Sequence, residues 1–169
     1  FGTIGDDFRI GINSDGGTVA VLDVAVVSAG IADIVCLGVP NSTGKAGTLR
    51  AEGSLFAADN DLTFEARCLP ANSTGLLVNS STAVTTVNNP GGSSGNLCIA
   101  SLNMGRHPVT NTGAAGSVLY PIDTTSLPTN VGPSGIATAM VGDTWYFQFW
   151  HRDVAGDSNF SNAVSVTFQ

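Results

Sequence analysis

Two histidines, three cysteines and thirteen acids are the groups in this sequence with the chemistry for catalysis or metal binding. Nucleophilic hydrolysis needs a serine held against a base and an acid. No serine is expected to act that way here. His151 beside Arg152 and Asp153 is the local cluster of a histidine with an acid. On a strand, neighbouring side chains point to opposite faces, so this cluster is no preformed relay. His107 precedes Pro108 in an expected loop. Glycosidases need two carboxylates across a cleft, but Asp6-Asp7, Asp59 with Asp61, and Asp153 with Asp157 sit in turn-like segments. Asp59, Asn60 and Asp61 offer the hard oxygens that calcium takes. They lack an EF-hand register, and their expected use is to cap a hairpin turn. No enzyme activity, cofactor or metal is expected.

The segment Trp145 to Arg152 is the strongest feature. Read as a strand, Trp145, Phe147, Phe149 and His151 share one face. Tyr146, Gln148, Trp150 and Arg152 share the other. The first set suits a core wall. The second combines planar rings, an amide and a guanidinium, a surface able to stack on sugar rings. The competing expectation is a covered central strand, with Gln148 and Arg152 satisfying backbone groups of nearby loops. Large aromatic residues are usually buried, which favours the covered strand.

These residues need a frame, and composition narrows it. The chain has 169 residues, enough for one domain. It has one lysine (Lys45), two glutamates (Glu52, Glu65) and 21 glycines. Helical bundles want far more Lys, Glu and Leu. Charged residues are 11% and hydrophobic ones 43%, the reverse of a disordered chain. The net charge is −7, which argues against nucleic acid and against an anionic membrane surface. No apolar run reaches the roughly 20 residues of a membrane span; the longest, Val19 to Val27, contains Asp23. The opening Phe1, without Met, fits a processed or trimmed amino end.

Turn signals recur every eight to twelve residues. Examples are Ser14-Asp15-Gly16-Gly17, Asn41-Ser42-Thr43-Gly44, Asn88-Asn89-Pro90-Gly91-Gly92 and Asn111-Thr112-Gly113. Asn41, Asn72, Asn79 and Asn159 each begin Asn-x-Ser/Thr and are expected in exposed loops. Strands are expected over 19–28, 32–37, 48–56, 62–68, 76–80, 96–102, 117–122, 145–152 and 163–168. Within 48–56 and 62–68, apolar and polar residues alternate, so one face is buried and the other wet. A short helical turn fits 124–127. The whole predicts an all-β fold: an antiparallel β-sandwich, jelly-roll or Ig-like, of about 9–12 short strands.

Cys36, Cys68 and Cys98 form no metal-binding pattern. One disulfide and one spare thiol fit an oxidising compartment. The residues alone leave three pairings open: Cys36–Cys98, Cys68–Cys98 and Cys36–Cys68. The segment after Cys36 also has an echo, with Pro40-Asn41-Ser42-Thr43-Gly44 matched by Ala71-Asn72-Ser73-Thr74-Gly75 after Cys68. This suggests two corners of like chemistry.

The order of motifs from Cys36 onward resembles a module near the carboxyl end of large secreted proteins of planctomycetes and other environmental bacteria. It rests on Pro40-Asn41-Ser42-Thr43-Gly44, Ala58-Asp59-Asn60-Asp61-Leu62-Thr63, Leu69-Pro70, Gly91-Gly92-Ser93-Ser94-Gly95-Asn96-Leu97-Cys98 and Gly105-Arg106. Gly142-Asp143-Thr144-Trp145-Tyr146-Phe147-Gln148 and Ser158-Asn159-Phe160-Ser161-Asn162-Ala163-Val164-Ser165-Val166-Thr167-Phe168 complete it. The resemblance implies an extracellular or cell-surface part without enzymatic activity. It also implies that Cys36 and Cys98 pair. Cys68 stands where that family has a small residue. A boundary follows: residues 1–35 as an extension and 36–169 as the sandwich module.

The extension contains the strand 18–28. Ala20, Leu22, Val24 and Val26 make one face, and Val19, Val21, Asp23, Ala25 and Val27 the other. Both faces are apolar apart from Asp23, so the strand needs cover on both sides. A strand of this kind can add to a sheet edge on a neighbour, and a repeated head-to-tail contact makes an open fibre. The expected assembly strand is Val19, Val21, Leu22, Val24, Val26 and Val27. The leading functional expectation is an extracellular, self-assembling filament or pilus-like subunit whose partners are copies of itself. The simpler expectation is that the strand completes its own sandwich. The alternative function is a carbohydrate-binding or adhesion module, with polysaccharide bound on Tyr146, Gln148, Trp150 and Arg152.

Overall fold

Glycine and asparagine turns cut this chain into short extended runs, and the alternating runs pair first. β4 (Thr48–Gly53) and β5 (Leu62–Arg67) are antiparallel, with Ala51 opposite Phe64. β11 (Val118–Ile122) lies on the other side of β5, completing a three-stranded sheet of order β11–β5–β4. The computed structural model describes residues 29–82, 86–130, 132, 134–153 and 157–169, and the backbone of two further strands within 1–28. Those strands are β1 (Asp7–Gly11) and β2 (Val21–Ala25).

The larger sheet is built on two long carboxyl-terminal strands. β14 (Thr144–Arg152) pairs with β15 (Ser158–Thr167) on one side and with β6 (Thr74–Ser80) on the other. β3 (Asp33–Cys36) forms the edge beyond β15. β9 (Gly105–Arg106) and β10 (Thr110–Asn111) both pair with the far side of β6. Two small ribbons complete the body: β7 (Val87–Asn88) with β8 (Asn96–Leu97), and β12 (Leu127–Pro128) with β13 (Ile136–Ala137). Three single-turn 3-10 helices (Ala57–Asp59, Pro90–Gly92, Ser101–Asn103) join strands, and every strand pairing named here is antiparallel. The fold is all-β, as expected, with more and shorter strands than expected. Residues 124–126 make a turn, not a helix, closed by Ser126 N–H donating to the Asp123 carbonyl (3.1 Å), and Leu127 already begins β12.

The two main sheets pack face to face through Leu49, Ala51, Leu62, Phe64 and Ala66 on one side and Leu77, Phe147, Phe149, Val164 and Val166 on the other. The Phe64 and Phe147 ring centroids are 4.4 Å apart. On the wet side of the small sheet, Glu65 takes Arg50 on one carboxylate oxygen and Arg67 on the other, each at 2.6 Å. This solvated charge ladder contributes roughly 1 kcal/mol or less per pair.

The larger sheet is also covered on its outer face. Val78, Phe160 and Ala163 pack there under Leu97, Cys98 and Ile99, with Tyr146, Trp150, Leu76 and Met104 at the margin. Segment 96–102 was expected to be one strand, yet pairing stops at Leu97. The next amide, of Cys98, donates instead to Gln148 Oε1 (2.9 Å). β4 stops at Gly53, short of the expected Phe56. Gly53 has φ +108°, and a Cβ there would sit 2.1 Å from the Asp61 carbonyl oxygen, so only glycine makes this exit.

The body begins earlier than the Cys36 boundary drawn from sequence. Ala51 N–H donates to the Ala29 carbonyl (2.9 Å), and Ile31 N–H donates to the Ala51 carbonyl (3.0 Å). Gly30 permits this approach: its φ is +69°, and a Cβ would lie 2.0 Å from the Ala51 carbonyl oxygen. Residues 29–35 thus belong to the sheets they were thought to precede. β2 pairs with β1 in a two-stranded sheet of its own, with Asp23 opposite Arg9. It shares no ladder with either main sheet among the described residues. Val21, Leu22 and Val24 of the expected assembly strand lie in β2; Val19, Val26 and Val27 lie outside the described residues.

Candidate functional site: the outer face of the large sheet

β14 divides its side chains as the alternation requires. Trp145, Phe147, Phe149 and His151 are buried toward the small sheet. Tyr146, Gln148, Trp150 and Arg152 face outward, but they do not form one open platform. Gln148 is fully buried. Its Oε1 accepts from Cys98 N–H, and its Nε2 donates to the carbonyls of Asn96 and Ser161, all at 2.9 Å. The bonds to Cys98 and Asn96 bracket the cover to the sheet, and the one to Ser161 ties β14 to β15, so Gln148 is not available to a sugar. Tyr146 is half-buried in the outer layer. The expected sugar platform therefore reduces to Trp150, half-exposed, and Arg152, whose guanidinium carbon lies 5.2 Å from the Trp150 ring centroid.

The cover is pinned covalently. Cys36, at the end of edge strand β3, is bonded to Cys98, with Cα atoms 6.3 Å apart. This is the pairing the resemblance implied. Cys68 is a half-buried free thiol at φ +56°. Its carbonyl accepts from Asn41 Nδ2 (2.7 Å), so the two echoing corners meet. Their chemistry differs. Asn41 is buried and its Oδ1 accepts from Thr43 N–H (2.9 Å), whereas Asn72 is exposed in the left-handed region.

Between the cover and the sheet lies a cleft of about 450 Å³, lined by Leu76, Val78, Leu97, Met104, Trp150 and Phe160, with Arg106 at its border. A second cleft, of about 610 Å³, lies past the β9 edge beside His107 and Tyr120. The two rings meet edge to face, with centroids 5.7 Å apart.

The other chemistry-bearing residues serve the fold. Asn60 Oδ1 accepts from both Thr124 N–H (2.7 Å) and Thr124 Oγ1 (2.8 Å), and Asp59 accepts from Ser54 Oγ. Both side chains tie turns together. Asp153 accepts from Ser42 N–H through both carboxylate oxygens. Gly91-Gly92-Ser93-Ser94-Gly95 matches the spacing of a hydrolase nucleophile elbow, contrary to the expectation that no serine is set up as a nucleophile. Its serine is committed elsewhere: Ser93 Oγ donates to the Ser158 carbonyl (2.7 Å) in a 3-10 turn and loop, not between a strand and a helix. Asn79 and Asn159, expected in exposed loops, lie in β6 and β15 and are fully buried. Asn159 Nδ2 donates to the Pro40 carbonyl (3.2 Å) and Asn79 Nδ2 to the Pro128 carbonyl (3.1 Å).

Both histidines are buried, and Nε2 of each lacks a hydrogen-bond partner among the described residues. Burial holds the His107 pKa down to about 4. Burial also lowers that of His151, against the opposing pull of the Arg152 carbonyl and Asp153. A depressed folded-state value means that the unfolded chain takes up the proton first on acidification. Stability is therefore full above about pH 6.5 and is lost as pH falls toward 4, by about 3 kcal/mol for His107. Urea midpoints at pH 7 and pH 4.5 test this. His107→Leu should flatten the slope, and an unchanged slope would remove His107 as its source.

Comparison of the chain with family models, with curated proteins and with solved structures found no match.

Proposed function

We propose that this chain is an extracellular structural module that assembles with copies of itself by strand addition. The disulfide supports an oxidising compartment. The observation that carries the reading is the β1–β2 ribbon, which shares no ladder with either main sheet among the described residues. A two-stranded ribbon is marginal by itself, and the sequence of β2 is apolar on both faces apart from Asp23. It gains most by adding to a sheet.

The acceptor follows from the state of the edges. The β4 edge is closed, because Leu49 and Ala51 are bonded by Asn162 and by residues 29–31. β11 contains Pro121, and β9 and β10 are two-residue strands with Pro108 between them. Proline and shortness both block pairing. β3 remains. Ile34 within it and Ile31 and Leu37 flanking it are exposed, Leu37 by 67%. β3 carries a register shift against β15, a device that limits indiscriminate pairing. Side-chain fit must then select the donor.

Purified protein is expected to form concentration-dependent oligomers by size-exclusion chromatography and fibres by electron microscopy. Leu22→Lys/Val24→Lys should return it to monomers with an unchanged unfolding transition of the body. Monodisperse wild-type monomers with 18–28 protected from hydrogen exchange would remove the proposal.

A further inference from the structure

The 450 Å³ cleft on the outer face is separate from the assembly edge, and its lining has a particular chemistry. Leu76, Val78, Leu97 and Phe160 give it apolar walls, and Trp150 adds a broad indole. Met104 is unbranched and adaptable, suited to closing on varied apolar shapes. The hollow is of ordinary size for a small-molecule site.

Among the described residues, the charged side chain that lines it is Arg106. Arg50 and Arg67 of the small sheet are already paired to glutamates. Arg106 lies at the cleft and makes no ion pair with another described residue. Arg152 stacks on Trp150. No acidic residue lines the cleft among the described residues. In a chain of net charge −7, an apolar hollow bordered by a guanidinium is a local exception. A guanidinium presents a planar fork that matches a carboxylate. Sugars are poorly served, since the walls offer no array of hydrogen-bonding side chains.

We propose that this cleft binds a small amphipathic acid: an aliphatic or aromatic carboxylate whose apolar body lies between Trp150, Met104 and Phe160 and whose carboxylate meets Arg106. The walls supply affinity by burying the body. Arg106 supplies the preference for an acid over the matching alcohol. The site is held open by the cover, which Gln148 and the Cys36–Cys98 bond fix to the sheet.

Calorimetric titration of the whole chain with octanoate and with 1-octanol tests this. Octanoate should bind saturably at one site, about tenfold tighter than the alcohol, a difference typical of one charge-assisted hydrogen bond. Arg106→Gln should erase that preference while leaving octanol binding in place, which also shows that the variant is folded. Met104→Trp, which fills the hollow from its half-buried rim, should abolish binding of both. Equal affinities for acid and alcohol in the wild type would overturn the proposal. So would octanoate binding that survives Met104→Trp, or no saturable binding of either probe.

Discussion

Oxidised protein is expected to be about 4 kcal/mol more stable than the Cys36→Ala/Cys98→Ala variant. The bond closes a loop across 62 residues. On the chain-entropy account, it removes that much freedom from the unfolded chain. The native state adds a local reason. Cys36 ends the β3 edge strand, and Cys98 lies in the cover with Leu97 and Ile99. Cutting the bond frees an edge and a lid together, leaving Gln148 to hold the cover. Urea unfolding of both proteins at pH 7 measures the difference. A Cys68→Gly background removes thiol exchange and suits the left-handed φ at that position. A loss under about 1 kcal/mol would mean that the outer layer is held by its packing and by Gln148, not by the bond.

The sequence was most informative where one side of a strand is wet. Arg50, Glu52, Glu65 and Arg67 alternate with Leu49, Ala51, Phe64 and Ala66, and both strands and faces were legible from that alone. The inner face of β14 was legible for the same reason. Its outer face was not settled, because a covered face and an aromatic binding face use the same residues. Coverage is decided by 96–99, some fifty residues away, and no local pattern reports it. The two-residue strands of β7 to β10 are too short to leave a period. Position also defeats residue chemistry: Asn72 marks an exposed turn, whereas Asn79 and Asn159 in the same short motif are buried brackets. An asparagine that can bond a distant backbone looks like one that caps its own turn. The Ala29–Ile31 segment was missed because its partner, Ala51, lies in another sheet from β3.

Asn162 is the sharpest case, and replacing it carries the other large expected effect. It sits in β15 of the large sheet, buried, and reaches across to β4 of the small one. Its Oδ1 accepts from Leu49 N–H (2.5 Å), and its Nδ2 donates to the Leu49 carbonyl (3.0 Å). The side chain thus supplies both bonds that a neighbouring strand would supply, and it closes an edge the small sheet would otherwise leave open. Asn162→Leu keeps the number and branching of side-chain heavy atoms, in a bulkier form, but orphans two buried backbone groups at once. Each costs about 1–3 kcal/mol, so a loss of about 4 kcal/mol is expected by urea unfolding. A loss below 1 kcal/mol would mean that Leu49 finds water or another partner. Asn162→Asp separates the two bonds. Its carboxylate still accepts from Leu49 N–H but faces the Leu49 carbonyl without a proton to donate. Burial and that carbonyl would hold the new carboxyl above its ordinary range. A raised folded-state value gives stability that is present below the unfolded value of about 4 and lost as pH rises through the folded one. The variant should therefore be weakest at pH 7 and recover toward pH 4. That slope opposes the one set by His107, so the measurement belongs in a His107→Leu background. A variant equally weak at both pH values would show that packing around residue 162, and not the donated bond, holds the two sheets together.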